Sequence, residues 1–165
     1  MNERLRKVNS YLSSLSPIKF IIVMTALTYL IIIPFIPLFY LAEKHIGPMG
    51  GAAEDINQLS FIGKILIASI LAPLLETLVF QYGVIEVLDF INFSKYRQAI
   101  LIVISSIAFG MSHCYSVIYM VYGFLIGLVL AYSYMLYKKK DFSAFGVVFW
   151  IHCLRNTIST LLYLI

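Results

Sequence analysis

Five ionisable side chains stand inside long apolar stretches of this sequence: Glu76, Glu86, His113, His152 and Arg155. Gln81 and Asn156 are their polar companions. Ionisable groups in lipid are expensive, so each requires a partner or a function. A carboxylate beside an imidazole can hold and deprotonate a water, a general-base arrangement. A second imidazole with an amide can donate hydrogen bonds to a developing oxyanion. Two histidines and one glutamate can instead bind zinc, as in His₂Glu hydrolase sites, which makes Glu76, His113 and His152 candidate metal ligands as well. All three routes lead to hydrolysis.

Structural roles compete with these. Glu76 and Arg155 could form a structural ion pair, His113 could sit at an interface, and His152 could be a satisfied polar residue. Glu86, near a span boundary, can snorkel to water. Cys114 and Cys153 each follow a histidine. Adjacent helical residues diverge by about 100°, so both are expected to be small buried thiols rather than metal ligands. The abundant Tyr and Phe are expected in the core and in interfacial belts.

The elements that must position these groups follow from composition. The chain has 165 residues, of which 61% are hydrophobic and 12% charged, and its mean hydropathy is +0.92. A soluble domain carries about 25% charged residues. This balance excludes a soluble globule, a disordered chain and a nucleic-acid binder. It implies an all-α, polytopic bundle of about five transmembrane helices in contact with the lipid bilayer. The run Phe20–Ala42 is the first span, expected to bend at Pro34 and Pro37. A polar loop covers residues 43–60. A second apolar stretch runs from about Phe61 to Leu88 and contains Pro73. Residues Gln98–Tyr137 carry no formal charge and are about two spans long, with a tight turn expected near Tyr115–Val117. The second of these two helices holds Gly123 and Gly127, a pair that permits close backbone approach. Lys138–Asp141 precede a fifth span that starts at Phe142. The chain divides into a basic segment, first span and loop (1–60) and a core (61–165).

Of the twelve Lys and Arg, nine (Arg4, Arg6, Lys7, Lys19, Lys95, Arg97 and Lys138–Lys140) share one side if the spans alternate, and Lys44 and Lys64 lie on the other. The positive-inside rule then implies a multi-pass protein of the cell membrane with its N-terminus inside.

Depth brings the polar groups together. At about 1.5 Å per residue, Glu76 lies roughly 18 Å from Leu88 and His113 roughly 22 Å from Gln98. On the same measure His152 and Asn156 lie roughly 15 and 21 Å from Phe142. His152 and Asn156, four apart, share a helix face, as do Phe109 and His113. Pro73 frees a backbone carbonyl one turn before Glu76, which can open the helix to water.

Three helical motifs carry a resemblance: Glu76-Thr77-Leu78-Val79-Phe80-Gln81, Phe109-Gly110-Met111-Ser112-His113 and His152-Cys153-Leu154-Arg155-Asn156. Their order and spacing resemble the CPBP family of intramembrane proteases, also called the CAAX-protease or Abi family, over roughly residues 61–165. That family's pattern is E-E-x-x-x-R, F-x-x-x-H and H-x-x-x-N/D. Its members include CAAX prenyl-protein endopeptidases and bacteriocin-processing or bacteriocin-immunity proteins. The resemblance implies that Glu76 and His113 activate the attacking water and that His152 and Asn156 stabilise the oxyanion. Thr77 and Gln81 depart from the second Glu and the Arg, and the Glu-Thr…Gln form is similar to a variant of the motif. The family name implies a metalloendopeptidase, although the residues suit a metal-free, Glu-activated water equally. The expected activity is cleavage of a membrane-associated, prenylated or secreted peptide or protein. The competing expectations are an immunity protein that acts by binding and a small proton-coupled transporter. The lack of an internal repeat argues against the transporter.

Overall fold

The computed structural model describes residues 3–51, 56, 58–91, 96–140 and 142–163, and the regular elements among them are all helices, with no strand. Asp55 and Lys95 lie outside the described residues. Helix α1 covers Glu3–Ser14 and α2 Pro17–Leu30. After a turn and a short 3₁₀ stretch at Ile33–Phe35 comes α3, Ile36–His45. Pro17 opens α2, where a missing N–H costs nothing. Pro34 and Pro37 fall at the break, so the first pass is bent where two prolines withhold their donors. Then follow α4 (Phe61–Asp89), α5 (Arg97–Ser112), α6 (Val117–Tyr137) and α7 (Ala144–Tyr163).

Four helical runs are long and apolar enough to cross a bilayer: Pro17–His45, Phe61–Asp89, Val117–Tyr137 and Ala144–Leu162. Helix α5, between the second and third of these runs, is apolar but has only 16 residues. It rises about 24 Å against a hydrocarbon core of about 30 Å. It ends at His113, and the chain returns directly as α6, so the expected turn near Tyr115–Val117 is present. Large apolar side chains on α2, α3 and α4, among them Ile22, Leu41, Leu66 and Val79, are exposed on the outside of the bundle. Water does not tolerate such a belt, and lipid does.

The central helix is α6, the most buried of the spans. Its Leu130, Tyr134 and Tyr137 share one core with Phe20 and Met24 of α2 and Val148 and Ile151 of α7. Helix α2, before residue 61, is therefore packed into the same body as the rest. Against α5, α6 lies unusually close. A Cβ on Gly110 would meet the Met120 carbonyl oxygen at 2.7 Å, and one on Gly127 would meet the Ser106 Cα at 3.1 Å. Gly123 sits 3.3 Å from the Gly110 Cα on the same measure. The Gly123/Gly127 pair thus does what its spacing implies, and Gly110 supplies the facing half.

The ends of the bundle are tied differently. At one end Lys138 Nζ donates to Glu86 Oε2 at 2.7 Å and to Asp89 Oδ2 at 2.8 Å, and Arg97 pairs with Asp89 at 2.8 Å. Tyr134 donates its hydroxyl to Glu86 at 2.7 Å. Lys140 reaches the Ser13 carbonyl at 2.7 Å and Tyr132 the Asn9 side chain at 2.5 Å. Glu86 is therefore neutralised by a partner and does not merely snorkel. At the other end the Ser116 hydroxyl donates to the Met49 carbonyl at 2.6 Å. Gly51, at φ +151°, passes where a Cβ would meet the Tyr119 ring at 2.9 Å. Ser116 and Lys138 cap opposite ends of α6, so the two sets of ties lie at opposite ends of the bundle.

Candidate active site

α4 is not a regular α-helix. Its segments Ile65–Leu71 and Thr77–Gly83 are π-helical, with the Ala72 N–H bonded five residues back to Ile67. Ser69, Pro73, Thr77, Gln81 and Ile85 are all buried, at intervals of four. In a regular α-helix a stripe of that spacing would turn by about 40° at each step. The wide turns keep it in line, and π-helical turns are frequent at functional sites. The adjoining line Ala68, Ala72, Glu76 faces a cavity of about 150 Å³. Two alanines, one turn apart, leave the room that Glu76 looks into.

The same cavity is lined by Phe109 and His113 of α5, Tyr119, Tyr122 and Gly123 of α6, and His152, Arg155 and Asn156 of α7. All four residues expected to carry chemistry therefore meet at one place. Glu76 Oε2 lies 3.4 Å from His152 Nε2, and the imidazole is buried while the carboxylate is partly exposed. The structural ion pair Glu76–Arg155 is not formed: among the described residues the partner of Glu76 is His152. Phe109 stands between the two imidazoles, its ring centroid 4.6 Å from that of His113 and 5.6 Å from that of His152.

His113 closes the C-terminal end of α5. Its Nδ1 lies 2.7 Å from the Phe109 carbonyl oxygen. A carbonyl only accepts, so Nδ1 carries the proton and Nε2 is left with a lone pair. His113 lines the cavity and is oriented by its own helix. Of the two cysteines, Cys153 is buried as expected, but Cys114 is exposed. It lies in the turn after α5, where no neighbouring helix covers it.

Asn156 meets α4 directly. Its Nδ2 donates to the Ala68 carbonyl at 2.9 Å. In the five-residue register of this stretch, Ala68 is the carbonyl that Pro73 cannot serve, because proline has no N–H. The vacancy that the sequence assigns to water is occupied by the amide of α7. One Nδ2 hydrogen remains for the cavity. The Asn156 Oδ1 accepts from Arg155 Nη1 at 3.0 Å, and Arg155 Nη2 donates to the Tyr122 hydroxyl.

Thr77 and Gln81, the two departures from the motif, lie on the buried stripe and not among the cavity-lining residues. Only Glu76 and His152 come within direct contact as potential metal ligands. Among the described residues no three His, Cys, Asp or Glu side chains converge as a metal-holding group. The set Glu76, His113 and His152 as placed does not fit a three-ligand zinc site.

Sequence reasoning missed the roles of Tyr122 and Tyr29. Tyr119, Tyr122, Gly123 and Ile126 recur at one-face helical spacing, a signal that could have marked the cavity wall. Tyr29 gave none. It belongs to the first pass, yet its hydroxyl donates to the Arg155 carbonyl at 2.6 Å, behind the site.

The model of one family, Type II CAAX prenyl endopeptidase Rce1-like, matches residues 58–158, more than half of the chain and all four residues above. The chain belongs to this family. No curated protein and no solved structure matches it. Membership in the Rce1-like family makes it an intramembrane protease of the CAAX endopeptidase type. The helical runs long enough to span a bilayer make it a multi-pass membrane protein.

Proposed function

We propose that this Rce1-like protein hydrolyses a peptide bond of a membrane-associated or prenylated peptide with a water activated by Glu76, without a tightly held metal. The observation that carries this reading is the contact of Glu76 with His152 in a cavity whose wall also presents His113. Water held between Glu76 and His113 attacks the carbonyl carbon. Its proton passes to the Glu76 carboxylate, and the electron pair of the C=O π bond moves onto oxygen. In this reading the remaining Asn156 N–H and His152 stabilise that oxygen. When the intermediate collapses, the C–N bond breaks and the proton held by Glu76 goes to the leaving amine. This sequence of steps balances with no co-reactant besides water.

The test uses the full chain reconstituted in liposomes with an internally quenched, farnesylated peptide that ends in a C-a-a-X sequence. The wild-type protein is expected to cleave it, and Glu76→Gln, which keeps shape and polarity, is expected to lose about 10²–10⁴-fold in rate. No cleavage by the wild type, or near-normal turnover in Glu76→Gln, would overturn the reading. The zinc content of the same preparation checks the metal-free step. One tightly bound equivalent whose removal by chelator abolishes cleavage would replace Glu76-only activation.

A further inference from the structure

Arg155 is a partly buried cation with no counter-ion in contact among the described residues. Among the described residues no carboxylate lies within ion-pairing distance of it, and Glu76, in contact with His152, feels its charge only across the cavity. A guanidinium in an apolar body is costly unless something uses its charge. This one is also held firmly. Nη1 donates to Asn156 Oδ1 at 3.0 Å and Nη2 to the Tyr122 hydroxyl. Its Cζ lies 5.3 Å from the centre of the Tyr122 ring and 6.0 Å from that of Tyr29. Nε is buried without a partner. A guanidinium has five N–H donors, and two are committed. It lines the same cavity as Glu76 and stands three residues after His152, on the same face of α7.

We propose that Arg155 is a further catalytic residue, supplying the positive charge that stabilises the oxyanion, with Tyr122 as the residue that positions it. The inference rests on the hydrolytic reading above. Attack of the Glu76-bound water moves an electron pair onto the carbonyl oxygen, and the proton released goes to Glu76. The new negative charge forms in a cavity where, among the described residues, Arg155 is the fixed cation. A charged donor held in place before the reaction stabilises such charge strongly, because it need not reorganise at the moment of attack. The motif position that carries arginine elsewhere in the family is Gln81 here, buried away from the cavity. Arg155 occupies a different helix and a different position.

The test measures kcat and KM on the farnesylated peptide for wild type, Glu76→Gln, Arg155→Gln, Arg155→Lys, Tyr122→Phe and the double variant Arg155→Gln/Tyr122→Phe. Arg155→Gln is expected to lower kcat about 10²–10³-fold with KM nearly unchanged, and Arg155→Lys to recover part of the loss. Tyr122→Phe keeps the ring and loses the hydroxyl anchor. It should lower kcat alone in the wild-type background and add nothing on top of Arg155→Gln, since a positioning residue acts only through what it positions. A wild-type kcat in Arg155→Gln, or a loss confined to KM, would overturn the proposal, and the second outcome would make Arg155 a ground-state anchor for an anionic group of the substrate. If Arg155→Gln does not fold, an unchanged kcat in Tyr122→Phe overturns it instead. If the wild type fails to cleave, or Glu76→Gln still does, the hydrolytic reading fails and this inference with it. If those two controls behave as expected, failure at Arg155 concerns Arg155 alone.

Discussion

Asn156 shows how one side chain can hold two elements at once. Its Nδ2 satisfies the carbonyl that Pro73 leaves open on α4, and its Oδ1 holds the guanidinium of its own neighbour. Asn156→Ala removes both. It should lower turnover about 10²–10³-fold, the usual size for one lost oxyanion donor. It should also lower thermal stability in detergent by about 1 kcal/mol, the low end of the cost of leaving a partly buried acceptor unpaired. Asn156→Asp keeps an acceptor for Arg155 and is expected to be milder in turnover. Steady-state kinetics and a melting curve on the same preparations check this. A raised KM with unchanged kcat would mean that Asn156 serves substrate binding only.

At the scale of elements, the irregular α4 and the tight α5–α6 hairpin set the site. Pro73 keeps Ala68 without an internal partner and lies one turn before Glu76. Pro73→Ala restores an N–H that can close the helix on its own carbonyl and compete with Asn156. The variant should melt no lower than wild type yet turn over at least about tenfold more slowly, since a displacement of about 1 Å at a catalytic group can cost about 10²-fold. Undiminished turnover would show that the wide turn is not needed to aim Glu76. Gly110 makes the opposite kind of contact. A Cβ there meets backbone atoms of α6, among them the Phe124 nitrogen at 2.9 Å, which cannot yield as a flexible side chain can. Gly110→Ala should lower stability by about 1–3 kcal/mol, the usual cost of overpacking. It should also reduce activity, because His113 lies three residues further along α5. A thermal melt equal to wild type would contradict the close approach of the two helices.

For the whole molecule, the ionic clamp at one end and the glycine loop at the other define two faces. Glu86, Asp89, Arg97 and Lys138 join the ends of α4, α5 and α6, and α1 packs beside them through Asn9 and Ser13. The excess of Lys and Arg on that end predicts that it faces the cytoplasm. A topology reporter fused after Lys139 should read the inner side and one fused after Lys44 the outer side. The reverse pattern would invert the orientation and, with it, the side from which substrate reaches Glu76.

The sequence by itself determined that the chain is a helical membrane bundle, because the apolar content leaves no alternative. It also determined that Glu76, His113, His152 and Asn156 belong together. Charge is too costly in an apolar span to be left there idle, and helical rise alone puts these groups at similar depth. The turn after His113, the bend at the two prolines and the Gly123/Gly127 packing face were legible for the same local reason. Tertiary structure decided what local rules cannot reach. It chose His152 over Arg155 as the partner of Glu76, and Asn156 over water as the partner of the Ala68 carbonyl. It also brought Tyr29 and Tyr122 to Arg155. Each of these pairings joins residues on different helices. Their choice depends on how the helices rotate against one another, and that rotation is set by the wide turns of α4 and by the glycine contacts of α5 with α6.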